Sequence, residues 1–271
     1  MELFDTHFHY DGEISVEEYM AKTGADLQLS AKVFTCPVEK LYLLCAGGSW
    51  SGSKRAMEFA EKVENCYFSA GVHPHDAEEY RQQGGDFSVF RSHPKLRAVG
   101  EIGLDYFYGL SERNIQLEVL QEFLDLALAW NLPAMLHLRD KDDSDAAYAD
   151  ALKMLEKFSK DGGRFLIHCY AGNLEYAEKF LELGGYFGVT GLYTFKAADN
   201  IRSVITRIPA ERLLIETDSP YLAPVPFRGK PNHPALVAVV AEYIADFLQE
   251  DRQKLADETT ANALRAFELG E

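Results

Sequence analysis

RLLIETDSP, residues 212–220, is a short apolar run that breaks off at a carboxylate, Asp218, with a proline-rich loop (221–233) behind it. It is the eighth run of its kind in the chain. Read back toward the N-terminus, the others are YFGVTG (186–191), RFLIHCY (164–170), LPAMLHLRD (132–140), LRAVGEIGLDY (96–106), CYFSAGVHPH (66–75), the stretch 31–46 running into LYLLCAGG, and FDTHFH (4–9). Between and after them lie stretches with helical character: 14–22, 53–63, 113–130, 148–158, 173–183, 197–208, 235–248 and 252–268. In RNIQLEVLQEFLDLALAW, for example, Leu117, Leu120, Leu124, Ala127 and Leu128 fall on one helical stripe. Pro234 suits the start of the helix that follows it. Short apolar strands alternating with helices are the signature of parallel βαβ units. Eight of them, with no break in composition, predict an α/β fold: one (β/α)8 TIM barrel spanning residues 1–271 as a single domain. There is no internal repeat, linker or low-complexity segment.

Bulk properties narrow the function. The composition, 47% hydrophobic and 12% aromatic, can bury a sizeable core. The formal charge of −16, from 43 acidic and 27 basic residues, argues against wrapping of nucleic acid by a basic surface. It leaves a phosphate-processing enzyme open, because bound metal ions invert the local potential. The four cysteines, Cys36, Cys45, Cys66 and Cys169, form no C-x-x-C pair, and Cys45 and Cys66 read as small core residues. A secretory leader and an apolar run of membrane-spanning length are both missing, so the expectation is a soluble cytoplasmic protein without membrane association.

In such a barrel the chemistry sits at the carboxyl ends of the strands. His7 and His9 end the first run; being two apart on a strand, they aim at one point. Glu101 ends the fourth run, His137 the fifth, His168 the sixth and Asp218 the eighth. Taken singly, each has a structural explanation: a hydrogen-bonded core histidine, a glutamate paired with an arginine, an aspartate capping a turn. Taken together they are six polar groups on one buried edge, each costly unless satisfied. A metal centre satisfies all of them. A tetrahedral zinc takes four ligands, so six ligands with one carboxylate able to bridge suit two ions about 3.5–4 Å apart. The expected arrangement is His7, His9 and Asp218 on one ion, His137 and His168 on the other, and Glu101 between them. Imidazole and carboxylate suit zinc, manganese and others.

FDTHFH, GVHPHD (71–76), VGEIGLDY (99–106), LPAMLHLRD, HCYAG (168–172) and IETDSPYLAP (215–224), in this order, resemble the motifs of the TatD family of metal-dependent nucleases. TFKAADNIRSVITRIP (194–209) and TTANALRAF (259–267) look like the family's later segments. The resemblance implies an amidohydrolase-like barrel with two divalent cations per chain, acting as a deoxyribonuclease, often a 3′–5′ exonuclease. The same six residues match the family's metal ligands, and His73 matches an active-site position that is not a ligand. Phe227, Pro231, His233 and Tyr170 depart from the usual pattern, which bears on substrate preference.

The chemistry expected from this reading is attack on phosphorus by a metal-activated hydroxide. Glu101 and Asp218 are its catalytic carboxylates, and Asp218 is also placed to take up the proton. Arg139, Arg228 and Lys230, with Lys196 behind them, are candidate phosphate contacts; Tyr106, Phe107 and Tyr108 are candidates for base stacking, worth about 1–3 kcal/mol per base. Asp5 is expected to be a polar anchor below the site. Single-stranded DNA or strand ends are the expected substrate, with no obligate protein partner. The competing enzyme class is a binuclear amidohydrolase, lactonase or phosphoesterase of small molecules. Many of these bridge their ions with a carbamylated lysine, whereas here the position holds Glu101. A metal-dependent scaffold is disfavoured by the complete ligand set, and a serine hydrolase by the missing G-x-S-x-G elbow.

Overall fold

The computed structural model describes residues 1–33 and 38–269. In chain order the elements are β1 (Glu2–Phe8), α1 (Val16–Val33), β2 (Lys40–Cys45), α2 (Trp50–Lys62), β3 (Cys66–Ala70), α3 (Ala77–Gln83), β4 (Leu96–Asp105), α4 (Arg113–Trp130), β5 (Ala134–Arg139) and α5 (Ala146–Lys160). They continue with β6 (Phe165–His168), α6 (Leu174–Glu182), β7 (Tyr186–Val189), α7 (Asp199–Ile205), β8 (Leu213–Ile215), α8 (Val237–Leu248) and α9 (Arg252–Ala266). The strands pair in sequence order, every neighbour parallel, so the predicted (β/α)8 barrel is the fold.

Two apolar layers hold it. Outside the strands, the helices press their buried stripes onto the sheet. On α4, Leu120, Leu124 and Ala127 are buried as the spacing predicts, and Leu117 and Leu128 flank them. Phe123 adds an aromatic contact, its ring 4.9 Å from that of Phe87. Inside the barrel, Phe4, Leu44, Ala98, Met135, Leu166 and Leu214 form a floor, with Ala263 and Phe267 packed against it. This floor separates the amino ends of the strands from the polar carboxyl ends. Met135 is its upper contact, Sδ 3.0 Å from Nδ1 of His7.

The barrel closes between β1 and β8, and the closure lies among the residues of interest. The Asp218 amide donates to His7 O (2.9 Å) and the His9 amide to Ser219 O (2.8 Å). Below them Asp5, fully buried, accepts from the Thr217 amide (2.8 Å) and the Thr217 hydroxyl (2.6 Å). Asp5 is thus the anchor that the sequence suggests. Thr217→Val deletes one of these bonds and leaves a buried carboxylate short of a donor. We expect it to lower the unfolding free energy by about 1–3 kcal/mol in urea melts.

Three boundaries differ from the sequence reading. The apolar stretch 31–46 divides: α1 continues to Val33 and the strand begins only at Lys40, because a short apolar run does not by itself distinguish helix from strand. The run 66–75 leaves strand geometry after Ala70, so His73 sits in a turn. Glu101 does not end its strand. A register shift between Val99 and Ile102 displaces β4 against β5, and β4 runs on to Asp105. Cys45 and Cys66 are buried free thiols; Cys36 lies outside the described residues. Among the described residues no helix is long and apolar enough to cross a membrane.

Candidate metal centre

The six residues singled out at the strand ends converge on Glu101. Its two carboxylate oxygens face different neighbours. Oε2 lies 3.4 Å from Nε2 of His7 and 3.5 Å from Nε2 of His9. Oε1 lies 3.0 Å from Nδ1 of His137 and 3.9 Å from Nε2 of His168. Asp218 completes the ring from the β8 side: Oδ1 is 3.5 Å from Nε2 of His9, 3.7 Å from Nε2 of His168 and 3.9 Å from Nε2 of His7. Backbone geometry permits this crowding. Gly103 has φ +149 and faces His137 across β4 and β5; a Cβ there would stand 1.9 Å from the His137 carbonyl oxygen.

The donor set fits divalent cations. Nε2 atoms of His7 and His9 face each other at 3.1 Å, and the His7 and His168 rings stack at 3.6 Å. Such packing of nitrogen lone pairs is favourable only with a shared proton or a cation among them. The group His7–His9–Glu101 brings its ligand atoms within 4.8 Å of one another. The charges agree. Burial resists a proton on His168, yet Glu216, Asp218 and Glu101 outweigh it and push the imidazole up to about 10. Glu101, despite burial, is held well below the usual carboxylate range by His73, His7 and His137. Glu101 and Asp218, both held below the usual carboxylate range, therefore stay ionised and call for positive charge, which a metal ion supplies while freeing the ring nitrogens as ligands.

Two carboxylates that sequence reasoning missed orient the histidines from behind. Glu216, fully buried, puts Oε1 2.8 Å from Nδ1 of His168, so that Nε2 turns to the ring. Glu216 is itself fixed by the Cys169 amide (2.6 Å) and the Thr6 hydroxyl (3.2 Å), and Gly188 leaves room for it. Asp105 does the same for His137. Its Oδ2 lies 3.2 Å from Nε2, leaving Nδ1 for Glu101, and it also meets Nε2 of His75 at 2.8 Å. Both acids lie in buried runs, Glu216 two residues before Asp218 and Asp105 at the end of GEIGLD; a carboxylate in such a run was the available signal. A partner of this kind is typically worth about 10–100-fold in metal affinity. Glu216→Gln and Asp105→Asn are expected to weaken metal binding by about that factor in calorimetric titrations, with far-UV circular dichroism unchanged.

His73 behaves differently. Its Nδ1 accepts from the His75 amide (3.1 Å), so the neutral ring carries its proton on Nε2, which points at Glu101 Oε1 from 3.6 Å. Burial, outweighing the pull of Glu101, drives its pKa down to about 3 and keeps the ring neutral. His73 thus presents an N–H to the site as a donor.

The expected substrate contacts fare unevenly. The Tyr106 hydroxyl donates to Asp150 (2.9 Å), and Arg113 lies over its ring. Of the three candidate stacking rings, Phe107 and Tyr108 are the exposed ones, at 40% and 54%. The Arg139 guanidinium lies over both rings, 4.4 and 4.8 Å from their centroids, and Arg228 lies 4.3 Å over Phe195. Lys196 and Lys230 are exposed loop cations. Among the described residues none of these four cations forms an ion pair with the ring. His233 packs inward on Tyr19, and the Tyr170 hydroxyl is taken by Asn173 O (2.6 Å).

A (β/α)8 barrel with imidazoles and carboxylates convergent at its carboxyl edge defines the class of metal-dependent hydrolases. Comparison with known sequences specifies it. The model of the TatD-related DNase family matches residues 4–268, and the chain belongs to that family. It is 35% identical to the metal-dependent hydrolase YabD of Bacillus subtilis over 269 residues, covering 98% of this chain and 99% of that one. It is 33% identical to the 3′-5′ ssDNA/RNA exonuclease TatD of Citrobacter rodentium over 231 residues, covering 83% of this chain and 86% of that one. The crystal structure of YJJV, a TatD homolog from Escherichia coli, superposes with a TM-score of 0.80 at 27% identity, covering 99% of this chain and 98% of that one. The protein is a metal-dependent hydrolase that acts on ester bonds.

Proposed function

We propose that the chain is a two-metal phosphodiesterase that removes nucleotides from the ends of single-stranded DNA, with 3′–5′ polarity. The observation that carries this reading is the division of Glu101, one oxygen toward His7 and His9 and the other toward His137 and His168. His7, His9 and Asp218 would hold one divalent cation, His137 and His168 the second, and Glu101 both; magnesium, manganese and zinc are the candidates. Two such ions lower the pKa of water and neutralise a phosphate's charge. The protein's own groups do the rest. Glu216 and Asp105 keep the imidazoles aimed. His73 offers its Nε2 proton to a phosphate oxygen, and Asp218 is placed to receive the proton released by the attacking water.

Substrate delivery rests on the rim. In a chain of charge −16, Arg139, Arg228 and Lys230 are local cations, which suits the grip of a strand end better than the wrapping of a duplex. Phe107 and Tyr108 give Arg139 a stacked seat and offer exposed faces to bases. Phe107→Ala is expected to raise KM for single-stranded DNA by about 5-fold or more with kcat little changed, in line with about 1–3 kcal/mol per stacked base.

Digestion of end-labelled single-stranded DNA tests the reading, with and without chelator and with magnesium, manganese and zinc titrated back. A ladder shortening from the 3′ end, abolished by chelator and restored by metal, is the expected result. Faster turnover of simple esters, lactones or phosphotriesters than of DNA would instead assign a small-molecule hydrolase.

A further inference from the structure

We propose that the barrel carries a second ligand site, at the end opposite the metal centre, for a small phosphate-bearing anion. A cavity of about 320 Å³ lies beneath the amino-terminal ends of β5 to β8, lined by Arg164, Arg212 and Arg265 together with Phe165, Leu183 and Tyr186. That volume is within the range of small-molecule sites. Each guanidinium is aimed by a bond that leaves most of its five donors over. Arg164 donates to Asn131 O (2.9 Å), and Arg265 to the Asn262 side chain. Arg212 donates to Gly184 O (2.9 Å) while its plane lies 4.8 Å over the Tyr186 ring.

The electrostatics are unusual for this chain. Acidic residues outnumber basic ones by 43 to 27, yet among the described residues Arg212 and Arg265 ion-pair with no carboxylate. Arg164 has one partner, Glu268, at 2.6 Å. Glu268 is exposed and sits just past α9 in left-handed backbone, φ +52, a place where helices usually put glycine. A surface carboxylate is thus held at the cluster from a disfavoured conformation, and the cluster stays net positive. Arginine forks match phosphate oxygens two at a time, so several guanidiniums around one cavity select a phosphate over a monovalent anion.

Isothermal titration of the full chain with inorganic phosphate and with a nucleoside monophosphate tests this. Saturable binding is expected, at least about tenfold weaker in Arg212→Gln/Arg265→Gln and tighter in Glu268→Gln. Arg265 is exposed, so Arg265→Gln alone keeps the fold; it should weaken binding about threefold or more while DNA hydrolysis is unchanged. Tighter binding of the nucleoside monophosphate supports a phosphate ester as the ligand, and tighter binding of inorganic phosphate supports the free ion. Equal affinity in wild type and both arginine variants would overturn the proposal. So would binding that vanishes in Glu101→Gln, since that would place the phosphate at the metal centre.

Discussion

Glu101→Gln is expected to abolish hydrolysis, lowering kcat/KM by about 10³-fold or more, or about 4 kcal/mol of transition-state stabilisation. The substitution keeps the shape of a side chain that is only 2% exposed. It removes the charge that faces His7 and His9 through one oxygen and His137 through the other. Under the proposed arrangement both ions lose a ligand at once, so metal content should fall with activity. Asp218 reaches only one oxygen into the ring, toward His7, His9 and His168, and Asp218→Asn should leave more residual metal. The check is kcat/KM on single-stranded DNA alongside metal analysis, with circular dichroism to confirm the fold. A Glu101→Gln protein with full metal and wild-type rate would refute the role.

Gly103→Ala should be the most damaging single methyl in the molecule. Gly103 adopts a φ of +149 that L residues avoid, and its Cβ would fall 1.9 Å from the His137 carbonyl oxygen. Neither atom can yield cheaply, because both belong to paired strands. The strands must separate or β4 must shift its register, and a loss of more than about 4 kcal/mol in unfolding free energy is expected. His137 moves with its strand, so whatever protein remains folded should also bind metal poorly. Urea denaturation and a metal titration on the same sample measure both. A stable Gly103→Ala variant with normal metal affinity would show that β4 and β5 approach less closely than described.

The barrel was legible because its signal repeats. Eight apolar runs separated by helical spacing tolerate an error in any one boundary, and the misreading of 31–46 left the strand count intact. The ring was legible because His7, His9, His137, His168 and Asp218 all fall close to strand ends, where the fold itself gathers them. Glu101 was found for a partly wrong reason: it lies within β4 and enters the ring through the register shift, which periodicity does not reveal. Asp105 and Glu216 were missed because their role is defined by a histidine on another strand, and sequence distance says nothing of that pairing. Tyr106 could not be told from its neighbours for a related reason. Three consecutive aromatics look alike in sequence, and only Asp150 and Arg113, brought in by neighbouring helices, engage the hydroxyl and ring of Tyr106.

The two-ion centre is tested most directly by anomalous diffraction from crystals loaded with manganese. We expect two peaks about 3.5–4 Å apart, one on either side of the Glu101 carboxylate, the first among His7, His9 and Asp218 and the second between His137 and His168. A single peak, or peaks that leave Glu101 uncoordinated, would contradict the account.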